Sequence, residues 1–207
     1  VSYSAVIGVF AVALALVLTP GPNMIYLVSR SISQGRRAGM VSLAGVALGF
    51  LIYLTATNLG LAAVFTAVPA LYTAVKLAGA AYLAWLAVQA LRGTVSAFEP
   101  AELQQDSTGR LFTMGLVTNL LNPKIAIMYI SVIPQFVDPA AGHLVLQGFT
   151  LGGVQIVVAV AINLAIVVLA GSIARFLALR PTWLKVQRYV MGTVLGFLAV
   201  RVAADGG

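Results

Sequence analysis

Two proline motifs, each inside an apolar stretch long enough to cross a membrane, limit the fold of this chain more than any other feature. The first reads Thr19-Pro20-Gly21-Pro22-Asn23, and the second reads Asn119-Leu120-Leu121-Asn122-Pro123-Lys124. Proline removes a backbone N–H and clashes with the preceding turn, so each motif predicts a broken or kinked helix. In hydrocarbon, the freed backbone groups must face protein or a water-filled cavity. Two breaks at matching places in the two halves of a chain predict a binding site near the membrane midplane, as in transporters.

Composition indicates an integral membrane protein. Of the 207 residues, 61% are hydrophobic and only 8% are charged. Six spans of about 20 residues each, joined by short loops, use almost the whole chain and leave no room for a soluble catalytic domain. The chain has no cysteine, and its single histidine, His143, follows a turn-like run. We therefore predict no thiol chemistry, no metal site and no cofactor.

We predict an all-α membrane protein with six transmembrane helices at roughly 4–29, 39–65, 70–91, 112–133, 145–174 and 187–203. The first helix is expected to break at Pro20 and Pro22, and the fourth at Pro123.

A polar stretch in the middle of the sequence divides the chain. The first three-helix repeat covers 1–92, a cytoplasmic linker covers 93–111, and the second three-helix repeat covers 112–207. Because each repeat has an odd number of spans, the second enters the membrane inverted, which predicts a pseudo-two-fold axis in the membrane plane. Chance similarity between helices rich in alanine, leucine and valine is the alternative, and the shared order of motifs in both halves argues against it.

The distribution of basic residues predicts the orientation of the bundle. The net charge is +7, and nine Lys and Arg residues lie in the first, third and fifth loops. The opposite side has only Lys76 and Arg201, both near span ends. Cytoplasmic loops carry the excess of basic residues, so we place these three loops in the cytoplasm and both termini outside. Charges at span ends favour this topological role over a nucleic-acid surface.

The first motif predicts half of a substrate site. Pro20 and Pro22 remove two donors, and Gly21 allows close backbone approach. The freed carbonyls form a negative helix end, whereas the helix beginning at Pro22 has its positive end at the break. Such a break can hold an ammonium on one side and a carboxylate on the other, with Asn23 as donor and acceptor. The alternative is a plain proline kink, which two prolines around a glycine make less attractive.

The second motif supplies a cation. A lysine as deep in a span as Lys124 costs about 2.5–3.5 kcal/mol on insertion scales, so it should face the bundle interior or a wet cavity. We predict that it pairs with a substrate carboxylate, and that Asn119, Asn122 and Pro123 complete this half of the site. The alternative is a structural lysine bound to backbone carbonyls of the broken first span.

Other polar residues in the spans are secondary candidates. Asp138 could carry a coupling proton, or it could be an exposed turn carboxylate. Gln155 and Asn163 lie eight residues apart on one face of the fifth helix, and Tyr53 lies in the second. These three could line a pocket, although polar residues in spans often only join helices. The glycines from Gly35 to Gly49 favour close helix contacts.

Both motifs and their surroundings resemble the LysE/RhtB family of amino-acid exporters. The first signature lies at 19–23, 29–31 and 34–39, and the second at 119–124 and 134–138. Their order and spacing cover nearly the whole chain. The resemblance implies a multi-pass exporter in the bacterial inner membrane, with an amino acid, protons and membrane lipids as its partners. A homodimer is compatible with so small a bundle, although no helix face requires one.

Two departures from the family pattern bear on the substrate. Many members have an acid directly after the first motif, where this chain has Asn23, and a polar or acidic residue where it has Phe50. Both changes remove negative charge from the expected pocket. The resemblance therefore implies export of a neutral amino acid or a close derivative rather than a dibasic one.

Other functions fit the sequence less well. A membrane enzyme acting on lipid or peptide needs a nucleophile, a metal cluster or an acid pair inside a span, and the sequence offers none. A channel, a lipid-handling protein, an exporter of another small solute or a structural subunit could use the same bundle. We expect an exporter that works by alternating access, driven by the proton gradient, and not an enzyme.

Overall fold

Two helix breaks, one at each proline motif, organise the described part of the chain. The computed structural model describes residues 1–19, 21–61 and 105–178, together with scattered single positions within 77–92 and 189–200. Every regular element in the three continuous ranges is helical. The α-helices are α1 (Tyr3–Leu18), α2 (Pro22–Gln34), α3 (Arg36–Ala56), α4 (Thr108–Leu120), α5 (Pro123–Ile127) and α6 (Leu144–Ala178). Two π-helical segments, Thr57–Leu61 and Met128–Val132, follow α3 and α5, and two 3₁₀ turns, Ile133–Phe136 and Pro139–Ala141, lead to α6.

The first break separates α1 from α2. Thr19 leaves the helix with extended angles, φ −77° and ψ 125°, and its hydroxyl donates back to the carbonyl of Ala15 at 2.7 Å. Gly21 is also extended, and Pro22 then begins α2 at a position whose N–H has no intrahelical acceptor in any case. The two helices are bent by 53°. Pro20, the remaining proline of the motif, lies outside the described residues.

The second break repeats this arrangement. Helix α4 ends at Leu120, and Asn122 caps α5 by accepting from the backbone N–H of Lys124 at 3.1 Å. Pro123 occupies the first turn of α5, and the bend between α4 and the following helical segment is 51°. The predicted breaks at both motifs are thus confirmed, with nearly equal bends.

Four of the predicted spans have counterparts in the structure. Arg36–Gly60 and Leu144–Ser172 are each long and apolar enough to cross a membrane, and each bent pair can form one more span. The predicted third and sixth spans, 70–91 and 187–203, lie outside the described residues apart from single positions. The six-span inverted repeat therefore stays a prediction.

Glycines bring α3 and α4 into backbone contact. A Cβ at Gly45 would collide with the carbonyl oxygen of Phe112, and a Cβ at Gly115 would collide with the carbonyl of Ser42. One turn further, Gly49 faces Asn119, whose Oδ1 would lie 2.6 Å from an added Cβ. The predicted close contacts are confirmed here. Gly35 differs, because it forms the turn between α2 and α3 with a positive φ of 87°.

Replacing Gly45 by alanine should destabilise the fold. The added methyl meets backbone atoms of α4, which cannot rotate aside, so α3 and α4 must separate. We expect a loss of about 1–3 kcal/mol, the usual cost of overpacking. Thermal unfolding of the purified protein in detergent measures it. Gly109→Ala in α4 is the matched control, since an added Cβ there has no neighbour within 4 Å. Equal melting temperatures for the two variants would contradict the packing argument.

A buried ion pair joins α2 to the segment before α4. The guanidinium of Arg30 bonds to the carboxylate of Asp106, and their side chains are only 11% and 7% exposed. Gln34 donates to the same carboxylate at 3.2 Å and accepts from the Asp106 backbone N–H at 2.8 Å. Arg110 lies 3.0 Å from the second carboxylate oxygen. Asp106 lies in the predicted polar linker, and its burial against Arg30 was not predicted from the sequence.

Candidate functional site

A small cavity lies where the two helix breaks meet α3 and α6. Its volume is about 20 Å³, which is room for a water or two. Its wall is formed by Ala13, Leu16, Val17, Asn23, Met24, Phe50, Lys124, Ile125, Met128, Gln155, Ala159 and Asn163. Four of these residues, Asn23, Lys124, Gln155 and Asn163, are site residues that the sequence predicted. They come from both halves of the chain.

Lys124 bridges the two breaks. It is 6% exposed, and its ammonium donates to the carbonyl oxygens of Leu16 at 2.7 Å and Thr19 at 2.8 Å. These carbonyls close the C-terminal end of α1. The ammonium lies so close to the first motif that a Cβ on Gly21 would be 2.9 Å from Nζ. These contacts are those of the second role considered for Lys124, a structural lysine bound to backbone carbonyls of the broken first span.

The remaining hydrogen of Lys124 is chemically available. An ammonium has three N–H donors, and backbone carbonyls accept two of them. Because Lys124 also lines the cavity, the third donor can serve a ligand there. The two roles weighed for this lysine are thus compatible with each other.

The asparagines of the cavity have unsatisfied polar atoms. Asn23, in the first turn of α2, is buried, and neither atom of its amide group has a hydrogen-bond partner among the described residues. Asn163 donates to the carbonyl of Ala159 at 2.8 Å, which leaves its buried Oδ1 without a donor. Buried polar atoms without partners cost free energy unless water or a ligand satisfies them. The unsatisfied amide atoms of both asparagines therefore indicate that the cavity binds water or a polar ligand.

The other residues of the second motif support the break rather than line the cavity. Asn122 is fully buried and caps α5. Asn119 is fully buried against Gly49, and its amide atoms have no partner among the described residues. Pro123 is exposed and fixes the start of α5.

Tyr53 and Asp138 also lie outside the cavity wall. Tyr53 donates to the carbonyl of Leu120 at 2.7 Å, at the end of α4. Asp138 is exposed, and its carboxylate accepts from the backbone N–H of Ala140 at 2.9 Å in the turn before α6. That contact is a turn cap, one of the two roles considered for Asp138.

Most of the apolar part of the wall was not predicted. Met24, Ile125 and Met128 line the cavity together with Phe50, which the resemblance had already placed in the expected pocket. Met128 could have been predicted from helical spacing, because it follows Lys124 by four positions and so lies on the same helix face. Among the residues that the structure describes, no Asp or Glu lines the cavity, and no cluster of three or more His, Asp or Glu could hold a metal.

Comparison with known proteins assigns the family. The model of the family described as LysE type translocator matches residues 14–206. The chain belongs to the LysE family. This confirms the predicted resemblance, and because the family consists of translocators, the chain is a membrane transporter rather than an enzyme.

Two relatives within the LysE family show what its members do. A homoserine/homoserine lactone efflux protein of Salmonella typhimurium is 31% identical over 189 residues, which is 91% of each chain. A leucine efflux protein of Salmonella choleraesuis is 28% identical over 193 residues, which is 92% of this chain and 91% of that protein. No solved structure matches the chain.

Proposed function

We propose that this LysE family member exports neutral amino acids or close derivatives across the bacterial inner membrane. The observation that carries the proposal is the cavity between the two helix breaks, where a lysine with one spare donor faces amide groups without partners. The relatives named for efflux of homoserine and of leucine support an amino-acid substrate.

In the proposed complex, the two ends of the amino acid bind to different walls of the cavity. The substrate carboxylate accepts from the third N–H of Lys124 and from free backbone N–H groups in the first turn of α2. The carbonyls of Leu16 and Thr19 already bind the ammonium of Lys124, and this positive charge would repel a substrate ammonium placed on the same oxygens. The ammonium instead donates to Oδ1 of Asn163 and of Asn23, both of which lack a donor.

The composition of the wall supports a neutral side chain. Phe50, Met24, Met128 and Ile125 provide apolar contacts, and no carboxylate of the described residues lines the cavity. A second ammonium, as in lysine, would be buried without a counter-charge, which is costly. Leucine-like and homoserine-like side chains avoid that cost.

Transport requires the site to change its size and its access. The cavity admits a water or two, whereas small-molecule sites usually have about 300–1,000 Å³. We propose alternating access, in which two inverted three-helix repeats (1–92 and 112–207), joined by the linker 93–111, rock around the two breaks. Loops one, three and five lie in the cytoplasm, both termini lie outside, and the proton gradient drives export. Asp138 remains the candidate for proton coupling, and a homodimer remains compatible with this scheme.

Uptake into inside-out membrane vesicles tests the function. Labelled leucine, homoserine, threonine, lysine and arginine are offered with and without an imposed proton gradient. We expect gradient-dependent, saturable accumulation of one or more neutral amino acids, and none of lysine or arginine. Vesicles without the protein provide the background. Accumulation of a dibasic amino acid alone, or of no amino acid, would contradict the proposal, whereas accumulation that does not saturate would indicate a channel.

A further inference from the structure

A chain of aromatic contacts behind the cavity fixes one of its polar groups. The phenol of Tyr129, in the π-helical segment Met128–Val132, donates to Oε1 of Gln155 on α6. Both residues are buried, with 2% and 3% of their surface exposed. The hydroxyl has no other hydrogen-bond partner among the described residues. Its hydrogen therefore needs the amide oxygen, and the amide must present Nε2 on its other side.

The ring of Tyr129 is packed in the bundle. It stacks on Tyr53 with ring centroids 5.7 Å apart and an angle of 14° between the planes. The backbone of α6 also comes close to this ring, since a Cβ added at Gly152 would lie 3.5 Å from Cε1. Tyr53 is in turn bonded to the carbonyl of Leu120, beside the second break. The Tyr129 hydroxyl therefore has little freedom to leave Gln155.

Gln155 itself lines the cavity with Lys124. Among the described residues, the hydrogen bond of its side chain is the one that Oε1 accepts from Tyr129, which leaves Nε2 for a ligand. We propose that Tyr129 is a positioning residue for substrate binding, because it holds the Gln155 amide with its N–H₂ group toward the cavity as a second donor for the substrate carboxylate. This inference rests on the proposed function and extends it. A freely rotating amide would present oxygen as readily as nitrogen and would repel a carboxylate half of the time.

The fixed amide also predicts a preference among ligands. Two donors, Lys124 and Gln155, favour a group that only accepts, such as a carboxylate. An amino-acid amide such as leucinamide has its own N–H₂ group and fits this pair less well. Once the hydroxyl of Tyr129 is removed, Oε1 of Gln155 can turn to the cavity and accept from the N–H₂ group of leucinamide. The preference for leucine over leucinamide should then decrease.

Tyr129→Phe tests the inference, because it keeps the stacked ring and removes only the hydroxyl. With labelled L-leucine in inside-out vesicles, we expect KM to rise about tenfold, the effect of one oriented hydrogen bond, with a smaller change in maximal rate. Unlabelled leucinamide should compete better against leucine in this variant than in the unsubstituted protein. Tyr26→Phe is the matched control: that hydroxyl donates to the carbonyl of Leu111 at 2.8 Å, away from the cavity, so KM should not change.

A double-variant cycle separates positioning from general structural support. If Tyr129 acts through Gln155, Tyr129→Phe should raise KM in the unsubstituted background but add nothing once Gln155→Leu is present. Two results would overturn this inference and leave the proposed function standing. One is an equal rise in KM in both backgrounds, and the other is an unchanged KM and unchanged leucinamide competition in a folded Tyr129→Phe protein. If the unsubstituted protein accumulates no amino acid, the proposed function fails and this inference fails with it. Melting temperatures in detergent show that each variant is folded.

Discussion

Replacing Lys124 by alanine should abolish export, with at least about a hundredfold loss of initial rate, while the protein still reaches the membrane. The change removes the spare donor for the substrate carboxylate, and a buried hydrogen bond to a charged group is worth about 1.5–3 kcal/mol. It also leaves the carbonyls of Leu16 and Thr19 without their donor, so the first break loses the contact that joins it to the second. Vesicle uptake, normalised to the amount of protein in the membrane, measures the effect.

Three further variants show which property of Lys124 matters. Lys124→Met keeps most of the side-chain volume without the charge and should be as inactive as alanine. Lys124→Arg keeps the charge but in a larger, planar group, and we expect a small residual rate. Arg37→Ala, the control, removes an exposed cation from the first turn of α3 and should transport normally. Full transport by the methionine variant would rule out Lys124 as a carboxylate ligand, and its melting temperature shows whether the break has collapsed.

The helix breaks could be predicted from the sequence because their cause is local. Proline lacks an N–H wherever it occurs, so Pro22 and Pro123 must lie at helix starts or distort a helix. The apolar spans could be predicted for a similar reason, since length and composition alone decide whether a helix can cross hydrocarbon. The predicted inverted repeat depends on the relative placement of six predicted spans, which local rules do not give.

The contacts of the site were less accessible to sequence reasoning. The partner carbonyl of Leu16 lies 108 residues from Lys124, and nothing near either residue indicates the other. The sequence therefore left two roles open for this lysine. The spacing of Gln155 and Asn163 correctly indicated one helix face. The sequence did not indicate a role for Tyr129, because an aromatic residue in an apolar run is expected only to pack. The partner of its hydroxyl, Gln155, is 26 positions away in the chain.

The acids illustrate the same limit. Asp138 was given two roles because it follows a span, and the structure shows the contact of one of them, an exposed turn cap. Asp106 was counted as part of a polar linker, yet it is the buried partner of Arg30. Exposure of a carboxylate depends on which helix packs over it, and the cation that buries Asp106 comes from α2, 76 residues away.

Removing the carboxylate of Asp106 should therefore destabilise the protein strongly. In Asp106→Ala, the nearly buried guanidinium of Arg30 loses its counter-charge, and breaking a buried pair from one side costs about 3–5 kcal/mol. Because the pair is not completely buried, we expect the lower end of that range. Thermal unfolding in detergent should show a clear decrease in melting temperature. Asp138→Ala is the matched control, since that carboxylate is exposed and makes one turn hydrogen bond.

The double variant Arg30→Met, Asp106→Ala determines whether charge pairing is the cause. Removing both partners of a buried pair leaves no unpaired charge, so the double variant should be more stable than Asp106→Ala alone. If Asp106 mattered only through its backbone bond to Gln34, the alanine variant would keep that bond and lose little stability. If it mattered through the exposed Arg110, the second substitution would not restore stability. Recovery on removal of Arg30 is thus specific to the contact between α2 and the segment before α4, which joins the predicted linker to one end of the broken first span.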